Sequence, residues 1–170
     1  MINIRQANMD DAYKLSLFIK KLDLENKYLL YEQNERKNDI FATKLYLEKM
    51  QNNPKNIIFI AENEYQEIIG FACGEVSFLK KLSHVMKGNI GILKKYHGRN
   101  TGRLLAEKTL LYAKKMGIVR IEATIIRENV ISLNLSKKFG FKIEGIKHSS
   151  IKIGQRFHDE YLVAKIINQS

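Results

Sequence analysis

The chain has 170 residues, 45% of them hydrophobic and 28% charged, with 29 Lys and Arg against 18 Asp and Glu for a net charge of +11. That length and mixture predict one soluble globular domain, 1–170, large enough to bury a proper core. No apolar run reaches membrane-spanning length and the start, Met1-Ile2-Asn3-Ile4-Arg5-Gln6, lacks a signal-peptide core. A lone Cys73 excludes an internal disulfide and a cysteine zinc cluster, so a cytoplasmic protein is expected. The positive balance favours polyanionic partners, whether nucleic acid, an acidic protein or a phosphorylated cofactor. The lysines are scattered through a chain rich in Lys, Ile and Asn, however, and charge alone selects none of these.

Residues 2–6 alternate as a short strand. Asn8 is placed to cap the following helix, with Asp10 and Asp11 in its first turn, where the helix dipole favours negative charge. Ala12, Leu15, Ile19 and Leu22 then share one face. A second helix starts near Asp39 and carries Phe41, Leu45 and Leu47. After a loop at Pro54, residues 57–62 and 67–78 are predicted as paired strands around a polar turn at Asn63 and Glu64, and 85–93 as a further strand. The next helix, 101–116, turns Leu105, Leu110, Tyr112 and Ala113 inward and Glu107, Lys108, Lys114 and Lys115 outward, and Gly117 stops it. A strand follows with Val119, Ile121, Ala123 and Ile125 on one face, and then a short helix from Asn129 to the Phe139-Gly140-Phe141 segment. Strands 141–153 and 157–166 close the chain across a Gly154-Gln155 turn. The mixture predicts an α/β (α+β) fold, with helices flanking a mixed, largely antiparallel central sheet.

The stretch from Ile92 to Leu105 carries the most chemistry, because a strand there runs through a turn rich in Gly and Asn straight into an amphipathic helix. Backbone N–H groups left unpaired at the positive end of the helix dipole make a receptor for phosphate or pyrophosphate. No Gly-Lys-Ser/Thr stands at the Walker distance, and no G-x-G-x-x-G with a following acidic residue is present. The turn resembles the Gln/Arg-x-x-Gly-x-Gly/Ala turn of the Gcn5-related N-acetyltransferase (GNAT) family. His97 takes the Gln/Arg place, Gly98 and Arg99 free positions, Asn100 the first Gly and Gly102 the last. Asn is the residue other than Gly that best tolerates a left-handed backbone, so the exchange at Asn100 is compatible with the motif. A second segment, from Asn129 to Gly145, is similar to the family's Asn-x-x-Ala-Ile-x-Leu-Tyr-x-x-x-Gly-Phe, with Asn129, Leu135, Gly140, Phe141 and Gly145 at the family places. The ending Gly154-Gln155-Arg156-Phe157-His158-Asp159-Glu160-Tyr161 resembles the last hairpin of the branch acting on ribosomal-protein N-termini and polyamines.

The resemblance implies an acyl-CoA N-acyltransferase-like fold and acetyl-CoA as co-substrate, with no metal. An amine attacks the thioester directly while both substrates are bound. Amides around Ile92 and Leu93 would face the pantetheine arm and the carbonyl. Residues Gly98, Arg99, Asn100, Thr101, Gly102 and Arg103 would hold the pyrophosphate, with Lys94 or Lys95 near it, and Asn129 would bond the cofactor arm or cap its own helix. At the place of the usual proton-donating Tyr stands Ser136, a far weaker acid than a phenol. For the base, Glu75 interrupts a mostly apolar strand, where partial burial would raise its pKa; pairing with a Lys is the alternative. Asn89 lies where some relatives carry an acid, and His84, His148 and His158 are weaker candidates. Residues 24–36 would wall the acceptor pocket, and Cys73 is expected to be a small core side chain.

The expected acceptor is a small-molecule amine or, alternatively, a protein N-terminus. A non-catalytic CoA-binding protein fits the missing Tyr. A basic nucleic-acid-binding module is disfavoured because the lysines are not interleaved with aromatics. No membrane partner is called for, and a homodimer is compatible with all of these readings.

Overall fold

An ionic clamp ties the first strand to the first helix. In the computed structural model, which describes residues 2–32, 35, 36 and 39–167, β1 (Asn3–Gln6) leads through one 3-10 turn into α1 (Ala12–Glu25). Asn8 accepts from the Asp10 N–H while Asp11 accepts from the Asn8 N–H, each at 2.9 Å, a reciprocal cap that satisfies donors the turn cannot pair itself. The Arg5 guanidinium forks between Asp11, at 2.6 and 2.7 Å, and Glu62 of β2 (Ile57–Glu62), at 2.7 and 3.0 Å. Both carboxylates are buried, a position that only such paired hydrogen bonds make tolerable. The Arg5 hydrogen bonds hold the Asp11 carboxyl below its usual range.

The periodic apolar residues of α1 do what their spacing predicts: Leu15, Phe18 and Leu22 pack with Ile58 and Ile60 of β2 and with Leu47 and Met50 of α2 (Ile40–Gln51). Asp39 caps α2 by accepting the Ala42 N–H at 2.6 Å. Of the α2 apolar residues named from sequence only Leu47 enters the core; Phe41 and Leu45 face outward, because one stripe of the helix meets the sheet.

β3 (Ile68–Val76), β4 (Val85–Ile92), β5 (Arg120–Ile126), β6 (Lys142–Ile153) and β7 (Arg156–Ile166) complete a seven-stranded sheet in the order β1-β2-β3-β4-β5-β7-β6. Every neighbouring pair is antiparallel except β4 with β5. Alternation sorts side chains to the two faces. Ile58 and Ile60 join the α1–α2 side, while Ala61 and Ala72 meet Leu105 of α3 (Thr101–Lys115) on the other. α4 (Val130–Lys138) lies beside the start of α3, with Leu135 against Gly102. β6 is an open edge, and its register against β7 breaks between Lys147 and Ile151, where Ser149 takes φ +50°. Among the described residues no helix is long and apolar enough to cross a membrane, and no cluster of His, Cys, Asp and Glu could hold a metal ion.

Candidate active site

The parallel pair of strands is where the sheet comes apart. β4 and β5 register only from Val85, Met86 and Lys87 onto Arg120, Ile121 and Glu122. Beyond that the strands diverge, and a cavity of about 330 Å³ occupies the space between and around them. The direction of the β4 backbone follows from its neighbours. The Leu93 N–H bonds back to Ile69 of β3 at 3.0 Å, while the His84 carbonyl accepts from Val119 and Arg120 on the β5 side. Backbone groups alternate along a strand, so the amides of Gly88, Ile90 and Ile92 point toward the absent partner. Unpaired backbone groups need a partner, and an extended, amide-bearing ligand would supply one.

Residues from both faces of the sheet line the cavity. On the α3–α4 side lie Ala106, Thr109, Leu135, Ser136 and Phe139. On the α1–α2 side lie Tyr28, Leu29 and Leu30 of the chain leaving α1, with Cys73, Asn89, Thr124 and Glu160. Register explains the second group: Cys73 opposes Asn89 across β3 and β4, while Thr124 and Glu160 lie in one phase across β5 and β7. Within the segment 24–36 expected to form this wall, Gln33 and Asn34 lie outside the described residues.

After β4 a 3-10 turn, Lys94–Tyr96, delivers His97, whose Nε2 meets the Ile92 carbonyl at 2.9 Å. Gly98 and Asn100 both take left-handed backbone, at φ +72° and +62°, so the sequence places its two most permissive residue types where the chain reverses. α3 starts at Thr101, and Leu104 is the first residue to bond back, to the Asn100 carbonyl at 3.0 Å. The N–H groups of Thr101, Gly102 and Arg103 therefore have no carbonyl within the helix, at its positive end. Gly102 is needed for close approach: a Cβ there would stand 2.9 Å from Ile92 Cδ1 and 3.2 Å from Leu135 Cδ2. Thr101 is buried, and its Oγ1 has no hydrogen-bond partner.

Several expected site residues are engaged elsewhere. Leu93 cannot offer its amide to the gap, since β3 takes it; the alternation that gives Ile92 an open N–H closes the next one. The Arg103 side chain pairs with Glu107 at 2.8 Å, and Arg99 lies over the Tyr96 ring, 5.7 Å from its centroid. Glu75 is partly buried; its carboxylate receives Lys49 Nζ at 2.9 Å, the Lys pairing that was the alternative from sequence, and it is not among the cavity's lining residues. Ser136 lines the cavity and donates its hydroxyl proton to the Leu133 carbonyl at 2.8 Å, a common helical back-bond. Asn129 also lines the cavity and caps α4, accepting the Ser132 N–H at 3.2 Å. His148 and His158 sit on Asp159 and Glu128. Burial pushes the Cys73 thiol up to about 11, in keeping with a core side chain.

Glu160 is the residue that sequence reasoning missed. It is 7% exposed, and its Oε2 receives Lys147 Nζ at 3.1 Å and Ser150 Oγ at 3.0 Å. Burial disfavours its charge, but hydrogen bonds from Lys147, Ser150 and Thr124 outweigh this and hold the carboxyl below its usual range. The available signal was a carboxylate in phase with Leu162 and Ala164 on the last strand.

A family model described as an acetyltransferase (GNAT) domain matches residues 4–162. An acetyltransferase of the GNAT family from Streptococcus pneumoniae has the same fold with a TM-score of 0.93 at 27% identity, covering 99% of this chain and 100% of that one. A ribosomal-protein-alanine N-acetyltransferase from Brucella melitensis superposes with a TM-score of 0.85 at 19% identity, covering 97% and 99%. A phosphinothricin acetyltransferase from Sinorhizobium meliloti, in complex with AcCoA, superposes with a TM-score of 0.87 at 16% identity, covering 99% and 89%. With its split sheet and its amide-lined turn, the chain belongs to the GNAT family and is an acetyl-CoA-dependent acetyltransferase.

Proposed function

We propose that residues 1–170 form one catalytic domain that acetylates a small primary amine by direct attack, the cofactor lying on the α3–α4 side of the gap and the acceptor on the α1–α2 side. The observation that carries this reading is the continuous cavity between β4 and β5, lined from both faces of the sheet. Reactants entering from opposite faces meet in the gap without crossing each other, which is the positioning a direct transfer needs.

Acetyl-CoA supplies an activated acetyl thioester. The amides of residues 98–103 take its pyrophosphate, with the His97 ring holding the turn to the end of β4. Gly88, Ile90 and Ile92 offer N–H groups along the gap, taking the place expected of Leu93, and one of them lies where charge developing on the acyl oxygen needs a donor. Asn129 orients α4, and its amide group adds a donor to the cofactor side. Lys49 on Glu75 and the Leu133 carbonyl on Ser136 favour water over either side chain as the proton carrier. The acceptor ammonium gives a proton to water on the α1–α2 side, the free amine attacks the carbonyl as the C–S bond breaks, and CoA leaves as a thiolate that takes its proton from water.

Calorimetry with acetyl-CoA tests the reading. Wild-type protein should release heat with one-site stoichiometry, and Gly102→Glu should weaken affinity by roughly 10- to 100-fold, the equivalent of one or two charge-assisted hydrogen bonds. No heat from folded wild-type protein would end it.

A further inference from the structure

The protein carries a net charge of +11, yet among the described residues lining the cavity the only charged side chain is a carboxylate, Glu160. The structure around it is built to keep that charge in place. β6 carries extra residues between Lys147 and Ile151, and this bulge turns Ser150 back onto the same carboxylate oxygen that Lys147 occupies. Asp159 pins the bulge by accepting the Ser149 N–H at 2.9 Å. Lys147 and Ser150 both donate to Oε2, and Thr124 is a third donor to the carboxylate. A carboxylate offers about four acceptor positions, so Glu160 keeps capacity toward the cavity. Lys147, half exposed and outside the lining, offsets part of this charge. Leu29, Leu30 and Ile151 give this side an apolar stretch, beside the polar groups of Tyr28, Asn89 and Thr124.

We propose that Glu160 receives the ammonium of the acceptor, and that the acceptor is a cationic primary amine on an apolar body with no carboxylate beside the nitrogen. This rests on the acetyltransferase reading above and names its substrate class. An apolar body fills the Leu29–Leu30 side and leaves water behind. An α-carboxylate would meet Glu160 as a like charge.

The test compares acceptors that differ only at that position: 2-phenylethylamine, phenylalaninamide and phenylalanine, with CoA thiol release followed at saturating acetyl-CoA. The two carboxylate-free amines should exceed phenylalanine in kcat/KM by about tenfold or more, the range of a close charge pair. Glu160→Gln should raise KM for 2-phenylethylamine by roughly tenfold, change kcat little, and shrink the discrimination against phenylalanine. Equal use of phenylalanine overturns the proposal, as does no transfer to 2-phenylethylamine or an unaltered KM in Glu160→Gln. Should Glu160→Gln not fold, the acceptor order in the unmodified protein decides alone. Acetyl-CoA calorimetry on the same preparation separates the two levels: heat with the wrong acceptor order defeats the acceptor class only, and absence of heat defeats the acetyltransferase reading too.

Discussion

The two ends of the sheet are built to different standards. From β1 to β4 each strand pairs with the next over most of its length, α1 and α2 cover one face, and Arg5 links the first strand, first helix and second strand through two buried carboxylates. Between β4 and β5 the pairing lapses after three residues and backbone amides face a cavity, while β5, β7 and β6 pair with one another beyond it and β6 is largely exposed. The buried ionic clamp lies at one end and the unsatisfied binding capacity at the gap. Damage to each end should therefore show in different measurements.

The largest expected effect comes from Arg5→Met, which leaves Asp11 and Glu62 buried without their cation. Unfolding free energy should fall by about 3–5 kcal/mol, read by urea denaturation, while the protein that remains folded binds acetyl-CoA with wild-type affinity. A parallel loss of affinity would break the separation of the two ends. The same clamp sets a pH dependence. Because the folded-state pKa of Asp11 lies below its usual 3.8, the stability it contributes is fully present above that value. It is lost as pH falls through the folded-state pKa. Thermal midpoints between about pH 5 and 2 should therefore drop more steeply in wild type than in Arg5→Met. Smallest of all should be Asn100→Gly: the left-handed residue gains freedom in both folded and unfolded chain, so stability should move by less than about 1 kcal/mol. Acetyl-CoA affinity should stay within about twofold, because the turn binds through its amides. A tenfold loss would show that the Asn100 side chain itself touches the cofactor.

How much of this was legible in the sequence follows the same division of local from distant. The helix starts at Asn8, Asp39 and Asn129, the turn around Gly98 and Asn100, and the stop before Gly117 are set by residues a few positions apart, and they appear where the pattern puts them. Arg5 and Glu62 are 57 positions apart, and Lys49 and Glu75 are 26 apart. No periodicity announces such pairs, so the sequence could offer a Lys partner for Glu75 as an alternative but could not name Lys49. Glu160 was hidden differently. A charged residue on a strand ordinarily marks the solvent face, and here that face is the floor of the cavity because the strand on the far side of the gap has moved away.

The open edge at β6 gives the scattered lysines a use. An unpaired strand invites a second chain to extend the sheet, the first step of aggregation. Lys142, Lys147 and Lys152 along β6, with the kink at Ser149, make that edge charged and uneven. A protein that must leave backbone open inside its cavity is thereby kept from offering the same invitation along its rim.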